Sequence, residues 1–170
     1  MSGWGMVCCL TLEWLALGVW VGGLVVLIGA VIPAVFNTFG GQDSGGLFLT
    51  RAFEGYNRFV IGAIVTLCAA SWYRWWSGDP TVRLGRGEMA LLAGMVVIAG
   101  IIIVVLHPHA AALQAQAFAA KEEAAKKAAF EAFFRIHMPV RSFYMINLVL
   151  GLLLMGIKAK RSLGRDGVLT

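Results

Sequence analysis

The most regular feature of the chain is a set of four long apolar runs separated by polar segments. The runs cover about residues 10–36, 56–76, 88–106 and 140–157, and each is close to or above the roughly 20 residues that cross a hydrocarbon core of about 30 Å. They are too long and too continuously apolar for the tilted, alternating strands of a membrane barrel. The pattern therefore predicts an all-α polytopic membrane protein, a bundle of four transmembrane helices with both termini on one side.

The segments that connect the runs differ in kind. The first, NTFGGQDSGG, is rich in glycine and turn-forming residues and predicts a flexible loop. The third, about residues 107–139, consists largely of alanine and other strong helix formers and predicts a water-exposed helical extension. A single straight helix of that length would be too long for a compact connection between two neighbouring helices. It must lie across the bundle surface or fold back near Glu122, and no glycine marks the turn.

Composition places the chain in lipid rather than in water. Hydrophobic residues make up 59% of the 170 residues and charged residues 14%, against roughly 45–50% and 25% in soluble domains. No Ser/Pro-rich linker divides the chain, so residues 1–170 are predicted to form a single integral membrane domain. The net charge of +5 fits contact with anionic lipid headgroups, and no nucleic-acid partner is expected.

Positive charges give the predicted orientation. Lysine and arginine are evenly divided between the two sides, but Lys121, Lys126 and Lys127 lie far from any span end, where they weigh little. The positive-inside rule then places both termini in the cytoplasm.

No arrangement of residues that is typical of an enzyme is visible. The chain lacks a Ser/His/Asp set, paired carboxylates, a glycine-rich phosphate loop and the H-E-x-x-H motif. Ionisable residues are also rare inside the spans, which disfavours a transporter. Glu13 and Arg141 lie near span ends and are expected to reach the interface. We therefore predict a non-enzymatic protein with no catalytic residues.

Glycines in the first span follow a helix-packing pattern. Gly18 and Gly22 form a G-x-x-x-G motif, and Gly29 continues the same face. Small residues at this spacing let two helices approach closely. The partner is either another helix of the same chain or, in a homo-oligomer, a second copy.

Three histidines are predicted to share the side of the membrane opposite the termini. His107 and His109 lie where the third span ends, and His137 and Met138 lie where the fourth begins. Imidazole and thioether ligands suit copper, and imidazole alone suits an axial haem position. The alternative is a polar cap without any cofactor, formed by the side chains that the topology gathers at this rim: Tyr56, Asn57, Arg58, His137, Arg141, Ser142 and Asn147.

Three stretches resemble the bacterial DUF4149 / transmembrane-protein-205-like family of four-helix integral membrane proteins. They are LGVWVGGLVVLIGAVIPAVF at residues 17–36, FEGYNRFVIGAI at residues 53–64, and FFRIHMPVRSFYMINLVLGL at residues 133–152. In the third, the family's phenylalanine, histidine, serine and asparagine fall on Phe134, His137, Ser142 and Asn147. The resemblance implies a bacterial inner-membrane location, a folded-back helical extension and no established activity.

Together these observations predict a binding or accessory subunit of a membrane assembly. Its partners would be the lipid bilayer and other membrane subunits or further copies of the chain. Some members of the family resemble copper-resistance proteins, and the alternative is therefore a copper- or haem-handling protein that uses the rim histidines. In the first hypothesis no cofactor is needed.

Overall fold

The structure, a computed structural model, describes residues 3–39, 42–78 and 82–166. Within these ranges the regular elements are all helical, as predicted, and they form four long helices. These are α1, Gly3–Phe39; α2, Gln42–Trp76; α3, Arg86–Ala119; and α4, Glu123–Asp166. Each predicted apolar run lies within one of them.

Helices α1 and α3 contain π-helical turns. In α1 these are Gly18–Gly22 and Leu27–Val31, and in α3 the turn is Ile101–Leu106. The second and third turns lie just before Pro33 and Pro108. Since proline has no N–H to donate within the helix, a locally wider turn lets each helix continue past it. The remainder is α-helical, at Gly3–Leu17, Gly23–Val26 and Ile32–Phe39 in α1 and at Arg86–Gly100 and His107–Ala119 in α3.

Helix α2 lies antiparallel to α1 along most of its length. The Cys9 thiol lies 3.6 Å from the Ala70 carbonyl oxygen, and further along the Tyr56 hydroxyl donates to the Trp20 carbonyl at 2.8 Å. At the far end, a Cβ added to Gly45 would lie 3.1 Å from Val35 Cγ1. Helix α2 therefore covers nearly the same height of the bundle as α1.

The core is apolar, and so is much of the outer surface. The largest fully buried side chains include Trp20, Leu67, Met95 and Leu154. Large apolar side chains are also exposed on every helix, among them Phe59, 68% exposed, and Val104, 73% exposed. Monomeric soluble proteins rarely expose so much contiguous apolar surface, and the outer face is therefore suited to lipid.

Three of the four helices are long and apolar enough to cross a membrane: α1, α3, and α4 from Glu123 to Leu163. Helix α2 is not among them, since its apolar run also holds polar and charged residues such as Asn57, Arg58 and Arg74. The structure thus supports a helical membrane protein with three candidate spans. A fourth span at residues 56–76 stays a prediction.

The segment between the third and fourth apolar runs is a helical hairpin. Helix α3 ends at Ala119, Ala120 is extended with φ −67° and ψ 123°, and α4 starts at Glu123. Across the hairpin, the rings of Phe118 and Phe130 meet edge to face at 5.8 Å. The chain therefore folds back near Glu122 and does not lie flat across the bundle.

The first connection is not the loop that its glycines suggested. Helix α1 continues to Phe39 and α2 begins at Gln42, and only residues 40 and 41 lie outside the described residues. Gly45 and Gly46 instead allow close contacts: an added Cβ would lie 3.1 Å from Val35 Cγ1 and 2.9 Å from Gln114 Nε2, respectively. At Gly45 and Gly46, glycine therefore serves helix packing rather than a turn.

The structure does not place Gly18, Gly22 and Gly29 between helices of the same chain. An added Cβ at any of the three would have no heavy atom within 4 Å. The prediction that these glycines pack against another helix of the same chain is therefore wrong, because the side of α1 that faces the core carries Trp20 and Val21 instead. Close approach occurs at Gly151, where a Cβ would lie 2.5 Å from Val21 Cγ2. Packing of the Gly18 face against a second copy stays a prediction.

Candidate functional site

A buried ionic cluster closes the end of the bundle at which α1 begins and α4 ends, which we call the ion-pair end. Arg74 Nη1 donates to both carboxylate oxygens of Glu13, at 2.8 and 2.7 Å, and Lys158 Nζ donates to Oε2 at 2.5 Å. Arg74 Nε also donates to the Val82 carbonyl at 2.6 Å. Exposure is 2% for Glu13, 4% for Arg74 and 8% for Lys158. The carboxylate therefore ties α1, α2 and α4 together.

A second ion pair joins α3 to α4 at the same end. Arg161 Nη1 donates to Glu88 Oε2 at 3.0 Å, and that oxygen also accepts the Gly85 N–H at the start of α3. Glu13 and Glu88 are both buried, contrary to the expectation that Glu13 reaches the interface. Because buried charges are costly unless paired, the contacts at this end make all four helices hold one arrangement.

A cluster of four polar side chains lies in the middle of the apolar core. The Tyr144 hydroxyl donates to Asn57 Oδ1 at 3.0 Å, and Asn147 Nδ2 donates to the Met95 carbonyl at 3.1 Å. The Tyr56 hydroxyl donates to the Trp20 carbonyl. All four side chains border a cavity of about 10 Å³. Asn57 Nδ2 and Asn147 Oδ1 are buried without a hydrogen-bond partner, so each amide retains unused capacity.

A larger cleft of about 470 Å³ opens between α2 and α3 at the opposite end, which we call the cleft end. It forms because the part of α3 after Pro108 packs mainly against α4 and touches α2 at few positions. Asn57 and Ile103 border both this cleft and the central cavity. The cleft is lined by Leu47, Thr50, Arg51, Glu54, Asn57, Arg58, Ile61, Ile103, His107, Pro108, Ala111, Gln114 and Ala115.

Polar and apolar groups occupy different parts of the cleft wall. Ile61 and Ile103 lie in the apolar runs of α2 and α3, whereas Arg51, Glu54 and Arg58 lie toward or beyond the start of the run in α2. The buried Gln114 of α3 accepts a hydrogen bond from the Thr50 hydroxyl of α2 and so bridges the two walls. The cleft is therefore amphipathic.

The charges at the cleft belong to a single helix, and the two arginines are exposed while Glu54 is half-buried. Glu54 accepts from Arg51 at 3.0 Å and from Arg58 at 2.9 Å. Hydrogen bonds from Arg51 and then Arg58 lower the pKa of the Glu54 carboxyl below its ordinary value. Two guanidinium groups face one carboxylate, and the mouth of the cleft carries an excess of positive charge and of N–H donors.

The predicted polar cap divides into residues that meet and residues that do not. Tyr56, Asn57 and Asn147 come together in the core, and Arg58 lies beside them at the cleft. Ser142 instead donates to the Met138 carbonyl of its own helix, and Arg141 is exposed. His137 stacks on Phe133, with ring centroids 5.3 Å apart. The seven residues therefore do not form a single polar cap at this rim.

The predicted metal ligands occupy separate environments. His107 lines the cleft, His109 and Met138 are exposed, and His137 stacks on Phe133. In residues 3–39, 42–78 and 82–166, no group of three or more His, Cys, Asp or Glu side chains is placed to hold a metal ion. The copper or haem hypothesis stays a prediction without support from this geometry.

Sequence reasoning missed the residues that complete both sites. Tyr144, Thr50 and Gln114 gave no signal, because their partners are 87 and 64 positions away along the chain. The ionic cluster had one: Glu13 is the sole acid in its apolar run, and the predicted topology places Arg74 and Lys158 at its end of the bundle. An acid so placed is expected to pair rather than to stand alone.

Comparison with known proteins identifies the family to which the chain belongs. A search of the curated proteins and a search of the solved structures each found no match. The family model described as Domain of unknown function (DUF4149) matches residues 15–119, which include both walls of the cleft. The stretch at residues 133–152 lies outside the match, and the bacterial and transmembrane-protein-205-like parts of the resemblance stay predictions. Since the match extends over more than half of the chain, the protein belongs to the DUF4149 family.

Proposed function

We propose that this protein is a non-enzymatic integral membrane protein that crosses the bilayer four times and binds an amphipathic ligand in the cleft between α2 and α3. One observation supports the proposal above all: the cleft has about 470 Å³, within the roughly 300–1,000 Å³ of small-molecule sites. Its inner wall is apolar, its mouth is charged, and Asn57 offers a buried donor that no group of the protein uses.

Packing supports the fourth span. Because α2 contacts α1 from Cys9 to Val35, whatever thickness of bilayer α1 crosses is also crossed by α2. The charges of α2 do not oppose this, since Arg74 is neutralised by Glu13 and Arg51, Glu54 and Arg58 lie toward the rim. A ligand in the cleft would then have its tail at the depth of Ile61 and Ile103 and its polar head at the surface.

The proposal includes an orientation, with both termini in the cytoplasm of a bacterial inner membrane and the cleft opening on the opposite side. Its support is the positive-inside rule, together with the shared end at which Glu13 meets Lys158. Single cysteines introduced at Ala112 and Ala119, in a background without the native cysteines, test it. A membrane-impermeant maleimide should label them in intact cells, and labelling only after lysis would reverse the orientation.

The proposal includes an accessory role in a larger assembly, and the helical hairpin supports it. Phe134 is 46% exposed and Met138 is 64% exposed on α4, and apolar side chains on such a projection fit contact with a second subunit. Chemical crosslinking in membranes followed by mass spectrometry should join residues of 123–138 to another polypeptide. Crosslinks within the chain alone would leave ligand binding without an accessory role.

Photolabelling tests the binding site directly. The full-length protein in detergent would be irradiated with a mixture of photoactivatable palmitic acid and palmityl alcohol, and the labelled peptides mapped. We expect label on residues 47–61 and 103–115. The variant Ala111→Trp, which fills the cleft, should abolish this label, and the matched variant Ala112→Trp, on the exposed side of the same turn, should retain it. Equal labelling of all outward faces, unchanged by Ala111→Trp, would overturn the proposal.

A further inference from the structure

We infer that the ligand of the cleft is a single-chain anionic amphiphile, an acyl chain whose carboxylate is held by Arg51, Arg58 and Asn57. This inference rests on the proposed function and adds the chemical class of the ligand. It depends on the donors and acceptors, the charge and the shape of the cleft, which are considered in turn.

Most of the unused hydrogen-bonding groups at the cleft are donors, and the neutral ring of His107 adds one donor and one acceptor. The Thr50 hydroxyl donates to Gln114 Oε1, and both oxygens of Glu54 already accept from arginine. The remaining donors include the Asn57 amide nitrogen, which has no partner, and the further N–H groups of two guanidinium ions, each of which has five donors. A ligand that matches this wall must bring acceptors.

Charge selects an anion among the possible acceptors. Arg51 and Arg58 face Glu54 as two cations against one anion, and a carboxylate from the ligand would balance the charge. Guanidinium groups bind carboxylates with two parallel hydrogen bonds, which are stronger than bonds between neutral groups. An uncharged alcohol or ester would leave this positive charge unbalanced.

Asn57 links the charged mouth to the interior of the bundle. It is only 5% exposed, and its Oδ1 accepts from Tyr144 on the core side, while its side chain also borders the cleft. The unpartnered Nδ2 is itself buried, so it would meet a ligand oxygen once the Asn57 side chain turns toward the cleft. A buried donor without a partner is energetically unfavourable, and a ligand oxygen at this position would remove that cost.

The dimensions of the cleft favour one chain. Its apolar wall consists of short side chains and two isoleucines, Ile61 and Ile103, with Ala111 and Ala115 on the α3 side. A volume of about 470 Å³ accommodates a single acyl chain, whereas a phospholipid would need room for two. The occupant is therefore a free fatty acid or a chemically equivalent single-chain carboxylate.

Competition against the photoactivatable palmitic acid tests the inference. Unlabelled palmitic acid at neutral pH should compete about tenfold more strongly than palmityl alcohol, the ratio expected when a charge-assisted hydrogen bond is lost. Arg58→Gln should bring that ratio close to one. Because Arg58 is exposed, the variant keeps the fold, and Arg135→Gln, at an exposed arginine outside the cleft, serves as the matched control.

Asn57→Asp provides an independent arm, because it retains the acceptor for Tyr144 while it removes the donor and adds a negative charge. It should weaken competition by palmitic acid more than competition by palmityl alcohol.

If acid and alcohol compete equally and Ala111→Trp still abolishes labelling, the inference is wrong and the proposed function stands. If phosphatidic acid competes better than palmitic acid, the single-chain assignment is wrong. If Ala111→Trp changes nothing, the proposed function itself fails.

Discussion

The two ends of the bundle treat polar groups in opposite ways. At the ion-pair end, Glu13 and Glu88 are buried and each is paired with a cation from another helix. At the cleft end, the charges of Arg51, Glu54 and Arg58 pair only within α2, while Asn57 has an amide nitrogen without a partner. The comparison shows that buried ion pairs fix the arrangement of the helices at one end, whereas at the other end α2 and α3 separate around the cleft.

Glu13→Gln should have the largest effect on stability. It leaves Arg74 and Lys158 buried without a counter-charge, a type of change that costs about 3–5 kcal/mol. The thermal midpoint of the full-length protein in detergent measures it. Glu54→Gln, the matched change at the cleft end, should shift the midpoint little, because its partners are exposed. Equal shifts for the two variants would contradict the distinction between the ends.

Gly151→Ala should have the next largest effect, about 1–3 kcal/mol of destabilisation from overpacking. Its Cβ would lie 2.5 Å from Val21 Cγ2 and 3.2 Å from Met95 Cε. Gly46→Ala at the cleft end should cost less, because its Cβ would meet Gln114 Nε2 at 2.9 Å, the end of a flexible side chain. The same unfolding measurement compares them, and a larger loss for Gly46→Ala would show that the cleft end is the more rigid.

Lys158→Met should change stability by no more than about 1 kcal/mol, because it removes the desolvation cost of a buried ammonium group together with its attraction to Glu13 and leaves no charge unpaired. Glu13 keeps its two hydrogen bonds with Arg74. The contrast with Glu13→Gln separates removal of one of two cations from removal of their shared anion. A loss as large as that of Glu13→Gln would show that Lys158 is indispensable to the cluster.

The smallest expected effect concerns the pKa of Glu54, which should titrate below the ordinary value of 4.5. Because the folded-state pKa is lowered, any stabilisation from its ion pairs is present above that ordinary value and is lost as the pH falls through the folded-state pKa. Carboxyl-carbon NMR of the labelled protein measures it. Arg51→Gln, which removes the first of the two hydrogen bonds, should raise the pKa of Glu54, and an unchanged value would contradict the pairing.

Part of this architecture follows from linear patterns. The long apolar runs are local features, and they predicted a helical membrane protein because lipid offers no hydrogen-bond partner to an exposed backbone. The fold-back near Glu122 was one of two open possibilities, since both conformations satisfy the same alanine-rich composition. Gly45 and Gly46 were wrongly assigned to a loop, because glycine is common both in turns and at close helix contacts, and only the position of the neighbouring helix distinguishes the two.

The candidate sites depended on the rotation of each helix about its axis. Tyr56, Asn57 and Asn147 were predicted as functional and lie together, but Ser142 and Arg141, from the same polar set, face away from that cluster. A polar residue near a span end can point to the core, the cleft or the surface. That choice is decided by which apolar neighbours, such as Trp20 and Met95, become buried.

The sequence by itself determined the solvent of this protein and the helical form of its segments, because both depend on the continuous apolar character of neighbouring residues. Only the tertiary structure decided that Glu13 meets Arg74 and Lys158 and that α2 and α3 separate around Asn57. Those contacts join residues far apart in the chain. Their geometry depends on helix rotation and crossing, which side-chain packing sets and linear order does not record.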